Sequence, residues 1–315
     1  MSVIIHCSGP LAIPSAHHPW RHPRTGSGPG EPARAVVRPL RGVAGPRAWL
    51  CRVARFQETG QRHFVAQIEQ AGVEAGAEVR WHSDHWLAEL VTDERRALII
   101  GQVFPLNNAA AAQIATDKVA TCALLAAAGL PAVPHHLLRF RNLPDPVALT
   151  RELVGLPAVL KPHRESSGVD VLRAVDEAQA RTALAHLASR YRAIAVSPFL
   201  PIEDEFRLVV LDGEVLLVYR KVTAPGEWRH NLHFGARPEL DVDPAALPAL
   251  TSLALAAMRA LDLRFASVDV AVVAGRPSVL EVNSGVILEH FSHAGDRHRA
   301  LAADVYRAAV RACLA

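Results

Sequence analysis

The sequence predicts an α/β protein composed of α+β subdomains, and three observations support this fold class. Segments with strand and helix periodicity alternate along the chain, two strand pairs read as hairpins, and half of the residues are apolar. A chain of 315 residues is long enough for one elaborate α/β unit or two modest domains, with a sizeable buried core.

The first 47 residues differ from the rest of the chain. They contain eight prolines and six glycines without a lasting helix or strand period, so we predict a disordered tail. The tail is basic, because residues 1–60 contain eight arginines and only Glu31 and Glu58 as acidic residues. A functional basic arm and an over-extended start of the chain are the alternative interpretations.

A small α/β layer is predicted from residue 48 to residue 105. Its apolar spacing indicates a strand, an amphipathic helix, a second strand and a buried third strand, in the order Trp49–Val53, Gln61–Ala75, Glu78–Trp81 and Ala97–Phe104. An alanine-rich helix follows over Asn107–Leu130, and Gly129 with Pro131 is typical of its C-terminus.

Strands and helices alternate through the rest of the chain. The clearest hairpin joins Glu205–Leu211 to Glu214–Arg220 across Asp212-Gly213, and a second joins Phe265–Val273 to Ser278–Asn283. The remaining predicted strands are Pro157–Lys161, Val169–Leu172 and Ala193–Leu200, and the remaining helices are Asp176–Arg190, Leu247–Leu261 and the amphipathic His298–Cys313.

Composition argues against several classes of protein. The longest apolar stretches, such as Val119–Pro131, are shorter than the ~20 residues that a membrane-spanning helix needs. The start of the chain lacks the basic region of a signal peptide, and the four scattered cysteines form neither a zinc nor a disulfide pattern. We therefore expect a cytoplasmic protein with no membrane partner.

The net charge of +3 does not predict a nucleic-acid partner, because the excess lies in the tail and the body is slightly acidic. The sixteen histidines are mostly dispersed or in adjacent pairs, and we interpret them as surface residues rather than metal ligands. The apolar face of the C-terminal helix fits either a core or a dimer surface, so a homo-oligomer stays open.

Three oxygen-bearing side chains converge in the second hairpin. Glu281 and Asn283 are two residues apart on one strand and share a face, and Asp269 on the partner strand is able to join them. Carboxylates in otherwise apolar strands are costly to bury, and bound Mg²⁺ would supply the counter-charge. Solvent-facing strand residues are the alternative interpretation.

Only three of the 34 basic residues are lysines, namely Lys118, Lys161 and Lys221. Lys161 ends a predicted strand and precedes the small-residue turn Glu165-Ser166-Ser167-Gly168, a layout suited to binding phosphate. Lys118 lies in the alanine-rich helix and Lys221 ends a strand, where each alone would also fit a surface charge.

Eight motifs occur in an order that resembles the ATP-grasp superfamily, and within it the RimK-like and glutathione-synthetase-like carboxylate–amine ligases. The resemblance covers about residues 97–290. The motifs are Asp117-Lys118 with Gly129-Leu-Pro131, Val159-Leu-Lys161-Pro, Val196-Ser-Pro-Phe199-Leu, Glu205-Phe-Arg207, Asp212-Gly213-Glu214-Val, Gly226-Glu-Trp-Arg229-His-Asn231-Leu-His233, Val268-Asp269-Val and Leu280-Glu281-Val-Asn283.

The resemblance implies an ATP-grasp fold with a preceding small α/β substrate domain. ATP would lie between two α+β subdomains. The boundaries that we predict are a tail at 1–47, the preceding domain at 48–105, a linker helix and first subdomain at 106–200, and a second subdomain with the metal site at 201–315.

The resemblance also implies a role for each matching residue. Lys118 and Lys161 would contact the phosphates of the nucleotide, and Glu205 would lie near the ribose and phosphates. A loop that closes over the phosphates would consist of Ser166, Ser167 and Gly168. The adenine would be bound by Ser197, Pro198, Phe199 and Leu200. Asp269, Glu281 and Asn283 would hold two Mg²⁺ ions, or Mn²⁺. Arg207, Arg220 and Lys221 would face the transferred phosphate, and Arg229, Asn231 and His233 would lie in a loop that covers the reacting ends.

The implied reaction is ATP-dependent amide formation between a carboxylate and an amine on small amino-acid or peptide-like substrates. ATP converts the carboxylate to an acyl phosphate, which the amine attacks, releasing ADP and phosphate. Such chemistry needs positioning and charge neutralisation more than a protein nucleophile. The alternatives are a carboxylate–thiol ligase, a phosphotransferase, or a non-catalytic nucleotide-binding regulatory module.

Two segments depart from the pattern of the superfamily. In the phosphate loop, residues 165–170, Glu165 and Asp170 occupy glycine-type positions, and carboxylates beside phosphates are unfavourable unless they point away. After Asn283 the chain continues with Ser284-Gly285, so the substrate-facing wall differs from that of relatives. Glu289 in this wall is either a specificity residue or a charge at a helix start.

Overall fold

The computed structural model describes residues 62–165 and 168–315, and all elements below lie in these ranges. The predicted tail at 1–47, the predicted strand Trp49–Val53, and Ser166 and Ser167 lie outside them. The described residues form mixed helices and antiparallel sheets, which agrees with the predicted fold class.

The element order alternates helices and strands. The first third contains α1 (His63–Glu74), β1 (Glu78–His82), β2 (Leu87–Val91), β3 (Arg96–Ile100), α2 (Ala109–Thr116) and α3 (Lys118–Ala127). The middle contains β4 (His136–Arg139), α4 (Pro146–Val154), β5 (Ala158–Pro162), β6 (Leu172–Ala174), α5 (Glu177–Ala188) and β7 (Ala193–Pro198). The last part contains β8 (Asp204–Leu211), β9 (Glu214–Val222), a 3₁₀ turn (Leu232–Phe234), β10 (Arg237–Glu239), α6 (Leu247–Ala260), β11 (Phe265–Val273), β12 (Arg276–Asn283), α7 (Glu289–Ser292) and α8 (Asp296–Leu314).

A five-stranded sheet of order β10-β9-β8-β11-β12 has apolar residues on both faces. Side chains alternate along a strand, so β8 presents Phe206 and Leu208 to one face and Val209 to the other. The first face packs on α6 with α2 and α3. The second face shares a core with α1, α8 and the three-stranded sheet β1-β2-β3.

A four-stranded sheet of order β4-β7-β5-β6 has its own core. Leu138, Leu160 and Ile194 are fully buried there against the apolar faces of α4 and α5. Asp145 begins α4 and Asp176 begins α5, and each carboxylate accepts backbone N–H bonds of the first helical turn. Strand β4 and helix α4 were not anticipated from the sequence.

The predicted single helix Asn107–Leu130 is wrong, because the structure has two helices that meet at Asp117. Asp117 has extended backbone angles, and its side chain accepts hydrogen bonds from the backbone N–H groups of Val119 and Ala120. It therefore begins α3 as an N-cap. Lys118 becomes the first residue of α3, and its N–H donates to the carbonyl of His163 at 3.0 Å.

The predicted strand Val169–Leu172 is also corrected. Gly168 and Asp170 have φ angles of +71° and +54°, which a strand does not accommodate, so residues 168–170 form a turn and β6 begins at Leu172. Strand β2 was not predicted from the sequence, because it contains the charged residue Glu89 at a position that is largely buried. The Glu89 carboxylate lies 2.6 Å from the guanidinium of Arg96, which compensates its charge.

Among the described residues, none of the helices is both long and apolar enough to cross a membrane.

Candidate active site

A cavity of about 480 Å³ lies between the four-stranded and five-stranded sheets. Most of the residues that the sequence singled out line it. They are Lys118, Lys161, Gly168, Ser197, Pro198, Phe199, Leu200, Glu205, Arg207, Lys221, Arg229, Asn231, His233, Asp269, Glu281 and Asn283. Tertiary packing thus brings together residues from six strands, the start of α3 and three loops.

The predicted carboxylates occupy neighbouring strands at one end of the cavity. Asp269 on β11 is directly opposite Glu281 on β12, and Asn283 pairs with Ser267 two positions away. On its other side, Asp269 is opposite Arg207 on β8. A register shift after Asp269 interrupts the β11–β12 ladder at this point.

Asp269 belongs to a buried network of charges. Arg207 donates to both carboxylate oxygens at 2.7 Å, and the Lys221 Nζ lies 2.9 Å from Oδ2. Lys221 also donates to Glu205 at 2.6 Å. Burial raises the pKa of Asp269, but the charges of Arg207 and Lys221 outweigh it, so the pKa lies below its usual value.

A second group of charges surrounds Glu281. Its Oε1 lies 3.0 Å from the Nζ of Lys118, which also donates to the backbone carbonyl of Glu165 at 2.6 Å. Burial raises the pKa of Glu281, but Lys118 and Lys161 outweigh this effect and lower it overall. Lys161 on β5 is buried, and this burial, with repulsion from Lys118, lowers its pKa to about 8.

Cations and carboxylates alternate at this charged end of the cavity. Lys118, Lys161, Lys221 and Arg207 line it together with the carboxylates of Asp269, Glu281 and Glu205. The cations suit a polyanionic group such as a phosphate chain, and the carboxylates and the Asn283 amide are oxygen ligands of the kind that Mg²⁺ prefers.

The opposite end of the cavity is more apolar. Strand β7 ends at Pro198, and the Phe199 N–H donates to the Pro157 carbonyl at 2.9 Å. The Phe199 ring packs edge-on against Trp228, with centroids 5.6 Å apart, and Arg173 stacks on it at 4.9 Å. Flat apolar walls of this kind suit a planar ring.

The loop between β9 and β10, which is the covering loop of this cavity, closes one of its sides. The Glu227 carboxylate accepts from both the backbone N–H and the guanidinium of Arg229, and these hydrogen bonds lower its pKa to about 2. The same guanidinium stacks on Phe234 at 3.7 Å. Arg229 is therefore held in a fixed position at the cavity wall.

The phosphate loop contacts this covering loop at Gly168. A Cβ atom at Gly168 would lie 2.9 Å from the Phe234 ring and 3.0 Å from the Asn231 amide nitrogen. Glycine is therefore required by space as well as by the positive φ. Asp170 is turned away, since its carboxylate accepts from Tyr191 Oη at 2.5 Å and lies 3.0 Å from Arg190.

Two predicted site residues lie outside the cavity. Arg220 neighbours Lys221 on β9, so it points to the opposite face of the sheet, where it binds Asp204 and Glu239 at 3.0 and 2.6 Å. The expected contact of Arg220 with a transferred phosphate does not fit this placement. Ser166 and Ser167 are outside the described residues.

Glu289 is the other residue outside the cavity lining. It is the first residue of α7, which agrees with a charge at a helix start. Its carboxylate, however, accepts hydrogen bonds from the backbone N–H groups of His63 and Phe64 at 3.0 and 3.1 Å, and so caps a different helix, α1. This placement does not fit a substrate-specificity residue.

Several cavity residues were given no role from the sequence. Glu227, Trp228 and His230 lie within one of the eight motifs, whereas His290 follows the last motif. The position of Glu227 two residues before Arg229 was a usable signal, since such neighbours meet in a tight loop. The sequence held no comparable signal for His290, because it reaches the cavity from α7, after the last motif.

Comparison with known proteins agrees with this geometry. The RimK-like ATP-grasp domain profile matches residues 115–302. Probable alpha-L-glutamate ligases of Marinobacter nauticus and Pseudomonas aeruginosa are 30% identical over 195 and 190 residues, which cover 61% and 59% of this chain. The chain spans about three fifths of the length of these relatives, 63% and 61%.

Solved structures show the same fold. Two structures of D-alanine–D-alanine ligase from Bacillus anthracis, one of them complexed with ATP, are 21% identical to this chain, with TM-scores of 0.51 and 0.50. Both cover 65% of this chain, and the matches cover 70% and 68% of theirs. Since the profile match covers more than half of the residues, this chain belongs to the RimK-like ATP-grasp domain family.

Proposed function

We propose that the protein is an ATP-dependent, Mg²⁺-dependent carboxylate–amine ligase that forms an amide through an acyl phosphate. The observation that carries the proposal is the group of Lys118, Lys161, Asp269, Glu281 and Asn283 at one end of a single cavity. We further propose that residues 106–200 and 201–315 are the two nucleotide-binding subdomains and that residues 48–105 precede them as a substrate domain.

The residues of the charged end would hold the phosphates of ATP. Lys118 and Lys161 are both buried at the cavity, and the Lys118 ammonium reaches the Glu281 carboxylate and the Glu165 carbonyl of the phosphate loop. Their charges would position the phosphate chain and neutralise part of it. Trp228 and Phe199 would enclose the adenine at the apolar end.

The donor set of the charged end fits Mg²⁺ or Mn²⁺. Asp269, Glu281 and Asn283 provide oxygens, and each carboxylate oxygen can accept both a hydrogen bond and a metal bond because it has two lone pairs. A cation held there would neutralise the charge of the transferred phosphate. Arg207 and Lys221 fix the orientation of Asp269 for this role.

The substrates would meet beneath the covering loop. Arg229 is held there by Glu227, and His230, His233 and His290 surround the same region of the cavity. The guanidinium and the imidazole N–H groups of this wall are hydrogen-bond donors, which favour a substrate with a carboxylate. The names of the relatives, probable alpha-L-glutamate ligases, make L-glutamate the first amino acid to test.

The test is phosphate release from ATP by the purified chain with Mg²⁺ and a panel of amino acids and short peptides. We expect ADP, phosphate and a product whose mass is that of the two substrates less one water. Glu281→Ala should abolish this phosphate release, whereas Glu214→Ala, at the exposed start of β9, should not.

Other outcomes would identify other functions. Activity that persists in Glu281→Ala would overturn the metal assignment. A thioester product would indicate a carboxylate–thiol ligase, and a phosphorylated product would indicate a phosphotransferase. ATP binding without turnover on every substrate would favour a nucleotide-binding regulatory module.

A further inference from the structure

A cluster of metal-binding side chains lies apart from the cavity lining, where the start of α1 meets α7. His63 is the first residue of α1, Glu289 is the first residue of α7, and His293 follows α7 directly. One ligand atom from each lies within 4.8 Å of the others. From this arrangement we propose that His63, Glu289 and His293 bind a divalent transition-metal cation of the Zn²⁺ class.

The distances within the cluster suit a shared cation. His293 Nε2 lies 3.3 Å from Glu289 Oε1, which is close to the separation of two ligand atoms in a tetrahedral zinc site with bonds of about 2.0 Å. The rings of His63 and His293 meet edge to face, with centroids 4.9 Å apart. A small rotation of these side chains would bring all three ligand atoms onto one ion.

The carboxylate of the cluster is already oriented. Its Oε1 accepts from the His63 N–H at 3.0 Å and its Oε2 from the Phe64 N–H at 3.1 Å. Each oxygen keeps a second lone pair for a cation. Hydrogen bonds of this kind to a ligating carboxylate are typical of built metal sites, where they fix the ligand and reduce the entropy lost on binding.

The ligand types select the metal. Two imidazoles and one carboxylate form the set that catalytic zinc sites use, with a fourth position left to water. Mg²⁺ prefers oxygen ligands only, so the ion proposed for the cavity would not compete here. The side chains of Glu289 and His293 are 18% and 52% exposed, which gives a cation access from solvent.

Helix capping alone explains only part of this arrangement. The cap requires the Glu289 carboxylate at the N-terminus of α1, but it does not require either imidazole. Both imidazoles approach the same carboxylate, although His63 and His293 are 230 positions apart in the sequence. A bound cation would tie α1 to the C-terminal part of the chain. It would also fix the turn that carries His290 into the cavity.

The test uses the full chain, stripped of metal with a chelator and titrated with Zn²⁺ against a chromophoric competitor. Other histidines and the cavity carboxylates also bind Zn²⁺, so the measured quantity is the difference between variants. We expect His293→Ala to lose one tight equivalent of Zn²⁺ relative to the unmodified chain. His85→Ala is the matched control, because His85 is 54% exposed and lies beside an aspartate. This variant should bind as many tight equivalents of Zn²⁺ as the unmodified chain.

Co²⁺ provides an independent measurement. The unmodified chain should show the visible absorption of four-coordinate Co²⁺, and His63→Ala and His293→Ala should each lose it while keeping their circular dichroism spectra. Excess Mg²⁺ should not displace the ion. Equal Zn²⁺ stoichiometry in the unmodified chain and His293→Ala, or an unchanged Co²⁺ spectrum in both variants, would overturn the proposal. Neither result depends on ligase activity, so failure here leaves the proposed function untouched.

Discussion

Arg207 and Asp269 lie directly opposite each other on β8 and β11, and two hydrogen bonds of 2.7 Å join the guanidinium to the carboxylate. Asp269 is buried and Arg207 is largely buried, next to Lys221 and Glu205 at the charged end of the cavity. A proposed metal ligand is therefore held in place by cations of the protein itself. The contribution of this ion pair to stability is therefore measured by removing the guanidinium.

Arg207→Met should lower the free energy of unfolding by about 3 kcal/mol, because it leaves Asp269 buried with only Lys221 as partner. Arg264→Met is the matched control, since Arg264 binds Asp212 with the same two-bond geometry, but both side chains are largely exposed. The control should lose less than about 1 kcal/mol. Urea unfolding measures both values, and equal losses would contradict this assignment.

The affinity for ATP should fall as the pH rises through about 8. Burial lowers the pKa of Lys161 to about 8, so the ammonium loses its charge above that value, whereas an ordinary lysine keeps it. Phosphate binding favours the protonated form, so ATP binding near pH 8 should take up a proton. Calorimetry in buffers of different ionisation enthalpy measures this uptake. The Lys161→Met variant should bind ATP more weakly, and its affinity should not change as the pH rises through 8.

Lys161→Arg should also weaken ATP binding, although it keeps the charge. The site is buried, and a forked guanidinium is larger and more rigid than an ammonium. Binding isotherms below pH 8, where Lys161 is charged, isolate this steric effect. An unchanged affinity would mean that the scarcity of lysine in this chain reflects composition only.

Gly168→Ala should impair turnover more than it impairs stability. Gly168 and Gly129 share a φ of +71°, but a Cβ meets Phe234 and Asn231 at Gly168 and nothing within 4 Å at Gly129. Gly129→Ala should cost about 1 kcal/mol of stability with normal activity. Gly168→Ala should in addition displace the covering loop and raise the KM for ATP. Equal kinetics in the two variants would show that the loop contact is unimportant.

Arg220→Met should keep ATP-dependent phosphate release close to that of the unmodified chain. Arg220 lies on the far face of β9 from Lys221 and binds Asp204 and Glu239 there. These ion pairs are partly exposed, so their loss should cost at most about 1 kcal/mol. A tenfold loss of phosphate release in a folded Arg220→Met variant would indicate that Arg220 has a role in catalysis.

The sequence predicted the group of three oxygen-bearing side chains at the charged end of the cavity, because local strand geometry determines it. Residues two apart on a strand share a face, so Glu281 and Asn283 were expected to lie together with Asp269 across the hairpin. The same rule, applied to β9, places Arg220 and Lys221 on opposite faces. The motif order had suggested one role for both residues, and the strand geometry separates them.

What the sequence by itself determined is the family, through the order of the motifs, and the local pairing within the two hairpins. Each motif and each hairpin consists of residues that are close in the chain. Only the tertiary structure decided that Glu289 caps α1 and that His63 meets His293. Only the fold, likewise, placed Asp170 away from the cavity. Periodicity describes which face a residue occupies, and it carries no information on which distant element covers that face.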